Sequence, residues 1–164
     1  MKRYLVTGAT GYIGKKLVSR LAKNGHFVYV LVRQVDKALF LFDNISQIKI
    51  QTDVSLFVNS IPDNIDCVFH LAAAINNEKN AGDIELIAKA NILFPSILLH
   101  AMAEKTITRL VTTGTYWQTM SSNEPVANTF YGATKNALEE IIDYYSFFYE
   151  IDCINIRLPD VYGE

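Results

Sequence analysis

The chain alternates short apolar runs with longer segments whose apolar residues recur every three to four positions. The runs are Tyr4–Thr7, Phe27–Val32, Ile48–Gln51, Cys67–Leu71, Arg109–Thr113 and Cys153–Arg157. None shows the period-two alternation of a half-exposed strand. Continuous apolar runs of this length fit parallel strands covered on both faces. After the first run, Ile13, Leu17, Val18 and Leu21 form one stripe on a helix from Tyr12 to Asn24, and Gly25 stops it. A second helix is predicted from about Asp83 to Glu104 and a third from about Thr129 to Tyr149. Asp36–Phe42 and Val54–Ile61 suit either a short helix or a loop. This order predicts an α/β fold, an open, doubly wound parallel sheet of about six strands. The 164 residues fit one domain.

Composition narrows the partners. The net charge of −2 gives no electrostatic reason to expect nucleic acid or an anionic membrane. The apolar run after Lys2 and Arg3 is too short for a signal peptide. The most apolar long stretch, Ile84 to Met102, carries Glu85, Lys89, Asn91, Pro95 and His100, which argues against a membrane span. A soluble cytoplasmic protein is the expectation. Cys67 and Cys153 lie in apolar runs and read as free thiols. Neither has a Cys or His at ligand spacing, and His26, His70 and His100 form no ligand pair, so no metal is expected.

The first strand leads into Thr7-Gly8-Ala9-Thr10-Gly11-Tyr12-Ile13-Gly14. Such a turn needs one glycine to bend, one to admit a pyrophosphate to the backbone, and one to let helix and strand touch. A diphosphate would rest on the unpaired N–H groups at the helix start. The bland alternative is a tight turn that binds nothing. The second strand ends Val30-Leu31-Val32-Arg33, with no acid before Asp36. An acid there suits the 2′-hydroxyl of NAD, whereas Arg33 suits the 2′-phosphate of NADP. A solvated loop Arg is the alternative.

Tyr131-Gly132-Ala133-Thr134-Lys135 opens the third helix. Residues four apart share a helix face, so the phenol and the ammonium should stand together. A nearby ammonium is expected to lower the phenol from its usual value of about 10. Such a Tyr can give a proton to a carbonyl oxygen or take one from a hydroxyl. Alone, the pair also fits a surface contact.

Together these motifs resemble the extended short-chain dehydrogenase/reductase family, also called the NAD-dependent epimerase/dehydratase family. Thr7–Gly14 is similar to its T-G-x-x-G-x-x-G fingerprint, and Tyr131–Lys135 to its Y-x-x-x-K. Asp53, with Val54 after it, follows the third strand, where the family has an Asp near the adenine. Asp66–Ala73 resembles D-x-V-x-H-x-A-A, whose counterparts of Leu71, Ala72 and Ala73 line the cofactor. Asn91 matches the Asn of N-x-x-G-T-x-N-x-L, with Phe94-Pro95 in place of Gly-Thr. Arg157–Gly163 resembles R-x-x-N-V-Y-G. Thr113 aligns with the catalytic Ser or Thr, with Thr112 and Thr115 as fallbacks or a purely packing role. His70 is expected to order its loop rather than do chemistry.

The resemblance implies a Rossmann-type sheet and NADPH, alternatively NAD, as cofactor. It implies reduction of a keto group on a nucleotide-linked sugar, with Tyr131 as proton donor, Lys135 tuning it, Thr113 orienting the carbonyl, and Asn91 beside a proton path. Dehydratases of the family place Asp-Glu after the catalytic Thr. Gly114-Thr115 stand there, which disfavours dehydration. Thr115-Tyr116-Trp117-Gln118 resembles nucleotide-diphospho-6-deoxy-sugar 4-ketoreductases of the abequose synthase type. An NAD-using nucleotide-sugar epimerase is the alternative. So is a non-catalytic NADP-binding or redox-sensing module, although such a module has no need of Tyr131, Lys135 and Thr113 together. Family chains continue past V-Y-G into a substrate-binding half. This chain is therefore expected to lack that half, to bind NADPH weakly and to turn over slowly if at all. The helices around 83–104 and 129–149 form a dimer interface in many relatives, which implies a homodimer by analogy.

Pro95 carries a local expectation. It has no N–H for the carbonyl of Asn91, four residues earlier, so an opened turn near Asn91 with room for a water is predicted. A simple kink or a later helix start is the alternative.

Overall fold

The computed structural model describes residues 1–43, 45, 48–51, 61–75, 78–120 and 126–163. Six strands follow the six apolar runs: β1 (Arg3–Thr7), β2 (Phe27–Leu31), β3 (Ile48–Gln51), β4 (Cys67–His70), β5 (Arg109–Thr115) and β6 (Asp152–Leu158). They pair in parallel in the order β3-β2-β1-β4-β5-β6. The chain runs outward from β1 to β3, then returns to β4 and runs the other way. The reversal leaves a crevice beyond the carboxyl ends of β1 and β4, where ligands of such sheets bind. The fold is Rossmann-like, as the residue pattern predicts.

Both faces of the inner strands are covered, which explains why their runs lack alternation, whereas the edge strand β6 leaves Ile154 and Ile156 exposed. On one face, α1 (Tyr12–Lys23) and α2 (Val35–Phe42) bury Val18, Ala38 and Phe42 against Val6, Val28 and Val30. Asp36–Phe42 is thus helical. The buried positions of α1 are Gly14, Val18 and Ala22, whereas Ile13, placed in the sequence stripe, is exposed. Gly14 takes its place because the helix crosses the turn too closely for a side chain. A Cβ on Gly14 would lie 2.2 Å from the Gly8 carbonyl oxygen. Gly25 ends the helix region in the left-handed conformation at φ +78°.

On the other face, α3 (Ala81–Ala88) buries Ile87, while α4 (Phe94–Glu104) and α5 (Phe130–Tyr149) bury Leu98, Leu99, Met102, Leu138 and Ile142 with Leu5, Val68 and Leu110. Each such aliphatic side chain contributes about 1.5–3 kcal/mol on burial. Asn80 caps α3, its side chain accepting from Asp83 N at 3.1 Å. A single wide turn, Lys89–Leu93, joins α3 to α4, with Phe94 N donating to the Lys89 carbonyl five residues back. This is the opened turn expected from Pro95, and the helix continues through it rather than restarting later. The most apolar 18-residue stretch of the helix Ala81–Glu104 has a mean hydropathy of 1.5, so by length and composition alone the helix could cross a membrane. Here its apolar side packs on the sheet.

Gly14→Ala is expected to cost about 3 kcal/mol in urea unfolding, because the added methyl meets backbone that cannot yield. An unchanged midpoint would show that the turn is looser than described.

Candidate active site

The glycine turn opens into a cavity of about 690 Å³. Its wall includes Gly8, Thr10 and Gly11, then Arg33 from the end of β2, and Leu71, Ala72 and Ala73 from the end of β4. These seven predicted residues therefore meet in one place. Gly8 is at φ +68°, and a Cβ there would lie 2.6 Å from Ala72 N. Two loops thus touch through a position only glycine fills without strain. Gly11 precedes α1 with no side-chain cap, and no acid stands in its first turn. The first N–H groups of α1 are left for an anion, which fits a dinucleotide diphosphate. Arg33 is exposed and has no hydrogen-bond or ion-pair partner among the described residues. Tyr12 and Ile13 are exposed and Gly14 is a packing residue, and none of the three lines the cavity. Asp53 and Val54 lie outside the described residues. Glu85, Leu86 and Lys89 form a further wall that sequence reasoning missed.

His70 orders the loop between cavity and sheet. Its Nδ1 lies 2.8 Å from Thr7 Oγ1, which also accepts from Ala72 N at 3.3 Å. Burial, reinforced by the Lys135 charge, pushes its pKa down to about 3, so the ring is neutral. Its Nε2 finds no partner among the described residues.

Two brackets tie the cavity loop to α5. Asn91 Oδ1 accepts from Ala74 N at 2.8 Å, while its Nδ2 donates to Ala74 O at 2.9 Å and to Thr134 Oγ1 at 3.2 Å. Both amide hydrogens are spent on protein, so the Asn91 side chain braces the cavity loop against α5. Glu78 supplies the second bracket. Its carboxylate accepts from Phe130 N at 3.1 Å and Tyr131 N at 3.0 Å, capping the helix start with an anion. Nothing in the sequence signals this pairing across more than fifty positions. Thr129 completes the cap by accepting from Gly132 N at 2.9 Å.

Tyr131 and Lys135 stand together on the buried side of α5. The ammonium lies 5.9 Å from the Tyr131 ring centroid and donates to the Thr113 carbonyl at 2.8 Å. Burial pushes the lysine pKa down to about 8. The Tyr131 phenol is raised above its ordinary value by burial, which corrects the expected lowering. Desolvation outweighs the pull of an ammonium that donates to the Thr113 carbonyl. Of the three candidate threonines, Thr112 Oγ1 donates to the His70 carbonyl and Thr115 Oγ1 accepts from Trp117 N. The half-buried Thr113 hydroxyl has no partner among the described residues. Tyr131, Lys135 and Thr113 do not line the 690 Å³ cavity; α5 is linked to Ala74, next to the cavity wall, through Asn91 and Thr134.

A polar hub fixes the end of β5. Gln118 Oε1 accepts from Thr115 N at 2.7 Å, and its Nε2 donates to Asn136 at 2.9 Å and Glu139 at 2.8 Å. Glu139 also receives Asn155 at 2.5 Å and pairs with Arg157 at 2.8 Å. The Thr115-x-x-Gln118 spacing is a capping-box signal, readable in the sequence, that sequence reasoning passed over. A Cβ on Gly114 would lie 2.4 Å from Gln118 Oε1, so the hub occupies the place where a side chain at that position would go.

Lys135→Met is expected to stabilise the chain at pH 7, on the order of 1–3 kcal/mol, because it removes a buried charge. An unfolded lysine keeps its proton to 10.5, whereas Lys135 releases it near 8. Between those values the unfolded state binds more protons, so wild-type stability gains on the variant as pH rises. Melting curves from pH 7 to 10.5 should show the gap close. A constant gap would mean that the ammonium is not desolvated.

The family model described as NAD dependent epimerase/dehydratase matches residues 4–164. The chain is 30% identical to CDP-abequose synthase of Yersinia pseudotuberculosis over 99% of its own length and 56% of the relative's. It is 29% identical to UDP-glucose 4-epimerase of Mycolicibacterium smegmatis over 98% of its length and 56% of that enzyme's. Among solved structures, UDP-glucuronic acid 4-epimerase from Bacillus cereus in complex with NAD superposes with a TM-score of 0.80 at 25% identity. That match covers 98% of this chain and 57% of the epimerase. The chain spans little more than half the length of these relatives, and over that span it belongs to the NAD-dependent epimerase/dehydratase family.

Proposed function

We propose that this chain carries the cofactor-binding and proton-handling part of an NADPH-dependent ketoreductase acting on a nucleotide-linked deoxysugar. The observation that carries the reading is the Tyr131–Lys135 pair, buried on the end of α5 that Asn91 and Glu78 tie to the cavity loop. The bound nicotinamide cofactor supplies the hydride. The chain's residues do the rest. Gly8, Thr10, Gly11 and the α1 N-terminus would hold the diphosphate, and Leu71–Ala73 the adenosine side. Arg33 would pair with the 2′-phosphate, where NAD offers only a hydroxyl. Tyr131 would give its proton to the substrate carbonyl oxygen, which Thr113 orients by hydrogen bond. A raised phenol suits a donor, since it keeps the proton until the oxygen takes up charge. Lys135 would move its ammonium toward the phenolate left behind.

Similarity to CDP-abequose synthase supports a deoxysugar substrate, and the Gly114–Gln118 packing argues against the acid a dehydratase needs after its Thr. The second reading, an NAD-using nucleotide-sugar epimerase, draws on the similarity to UDP-glucose 4-epimerase. Arg33 separates the two.

Emission of Trp117, the sole tryptophan, gives a binding assay for NADPH and NADH. The wild type should prefer NADPH by at least about tenfold, one charge-assisted pair's worth. Arg33→Ala should erase the preference, and Tyr131→Phe should leave both affinities unchanged while abolishing any NADPH oxidation. Equal affinity in the wild type would favour the epimerase, and oxidation surviving Tyr131→Phe would remove the phenol from the chemistry.

A further inference from the structure

We propose that Trp117 is a sugar-binding platform, its indole receiving the apolar C–H face of the pyranose whose carbonyl meets Tyr131. The proposal rests on the ketoreductase reading and adds a subsite to it. The indole ring stands at 90° to the Tyr131 ring, with centroids 6.0 Å apart. The phenol residue is only 8% exposed, yet 41% of Trp117 remains open beside it.

The turn holding the indole is built to stay in place. Trp117 N donates to Thr115 Oγ1 at 3.3 Å, and Trp117 O accepts from Asn128 N at 3.2 Å. The start of α5 presses on it from below, where a Cβ on Gly132 would lie 2.1 Å from Trp117 O. The next residue, Gln118, is 1% exposed and anchored to Asn136 and Glu139. A turn held by these contacts fixes the backbone that carries the indole, so a ligand has less chain freedom to freeze. Indole offers a broad apolar face that accepts sugar C–H groups while leaving hydroxyls to polar partners.

Position selects which part of the substrate it meets. The reacting carbonyl must come within hydrogen-bond reach of Tyr131. The ring that carries this carbonyl therefore passes beside an indole 6.0 Å from the phenol. The nucleobase lies a diphosphate and a ribose away and cannot reach. A deoxygenated sugar carbon enlarges the apolar face and strengthens the contact.

Saturation-transfer NMR tests the platform on the full chain, with NADP⁺ and CDP-glucose as probes. Irradiating the protein should saturate the glucose ring protons. Trp117→Ala should reduce that signal roughly three- to tenfold, the range of one aromatic contact. Trp117→Phe should keep most of it, and adenine protons should be unaffected in both variants. Undiminished glucose saturation in Trp117→Ala overturns the platform. So does wild-type adenine saturation with no glucose signal, or a loss confined to nicotinamide protons. Missing adenine saturation in the wild type strikes the cofactor reading itself, and the platform falls with it.

Discussion

Lys135 buries an ammonium that donates to a main-chain carbonyl, that of Thr113, at 2.8 Å. Desolvation of that charge is what lowers its pKa to about 8, and only the structure around it keeps the charge in place. The bond sets the spacing between the end of β5 and the buried face of α5. Every group argued to do chemistry hangs on that spacing. The Thr113 hydroxyl sits on the strand, the Tyr131 phenol on the helix, and the Trp117 turn spans the two. The Gln118–Glu139 hub repeats the same tie one turn further along, so the frame does not depend on the lysine alone.

The cofactor half is governed by a different constraint, the contact of backbone with backbone. Gly8 against Ala72, and Gly14 against the Gly8 carbonyl, bring the first loop, the first helix and the β4 loop within van der Waals contact. Once those glycines are in place, the uncapped helix start faces the cavity without any side chain having to be recruited. Asn91 then connects the two halves, since its amide bridges Ala74, next to the cavity wall, and Thr134, next to Lys135. The wide turn at Lys89–Leu93 that carries Asn91 follows from a proline that cannot complete an ordinary α-helical turn.

The six parallel strands were legible because covered strands write themselves as apolar runs and glycine spacing marks the first crossover, whereas their order came from the structure. The Tyr131–Lys135 pair was legible because helical spacing alone puts residues four apart on one face. The phenol's raised pKa was not, since it follows from burial, to which Trp117, distant in sequence, contributes. Glu78 was invisible for the same reason: an acid in a loop gives no sign of the helix it will cap. Ile13 misled because its apolar side chain fits the helical stripe, whereas the close crossing at Gly14 turns the helix and leaves it outside. The choice among Thr112, Thr113 and Thr115 needed hydrogen bonds, which assign two of the three to structural work.

The central claim is that the glycine turn and the Tyr131–Lys135 pair serve one ligand. Amide chemical shifts of the ¹⁵N-labelled chain, titrated with NADPH, test it directly. Gly8, Gly11, Arg33 and Ala72 should shift together with Tyr131 and Lys135, all along one binding isotherm. Shifts confined to the glycine turn, with the α5 amides still, would contradict it.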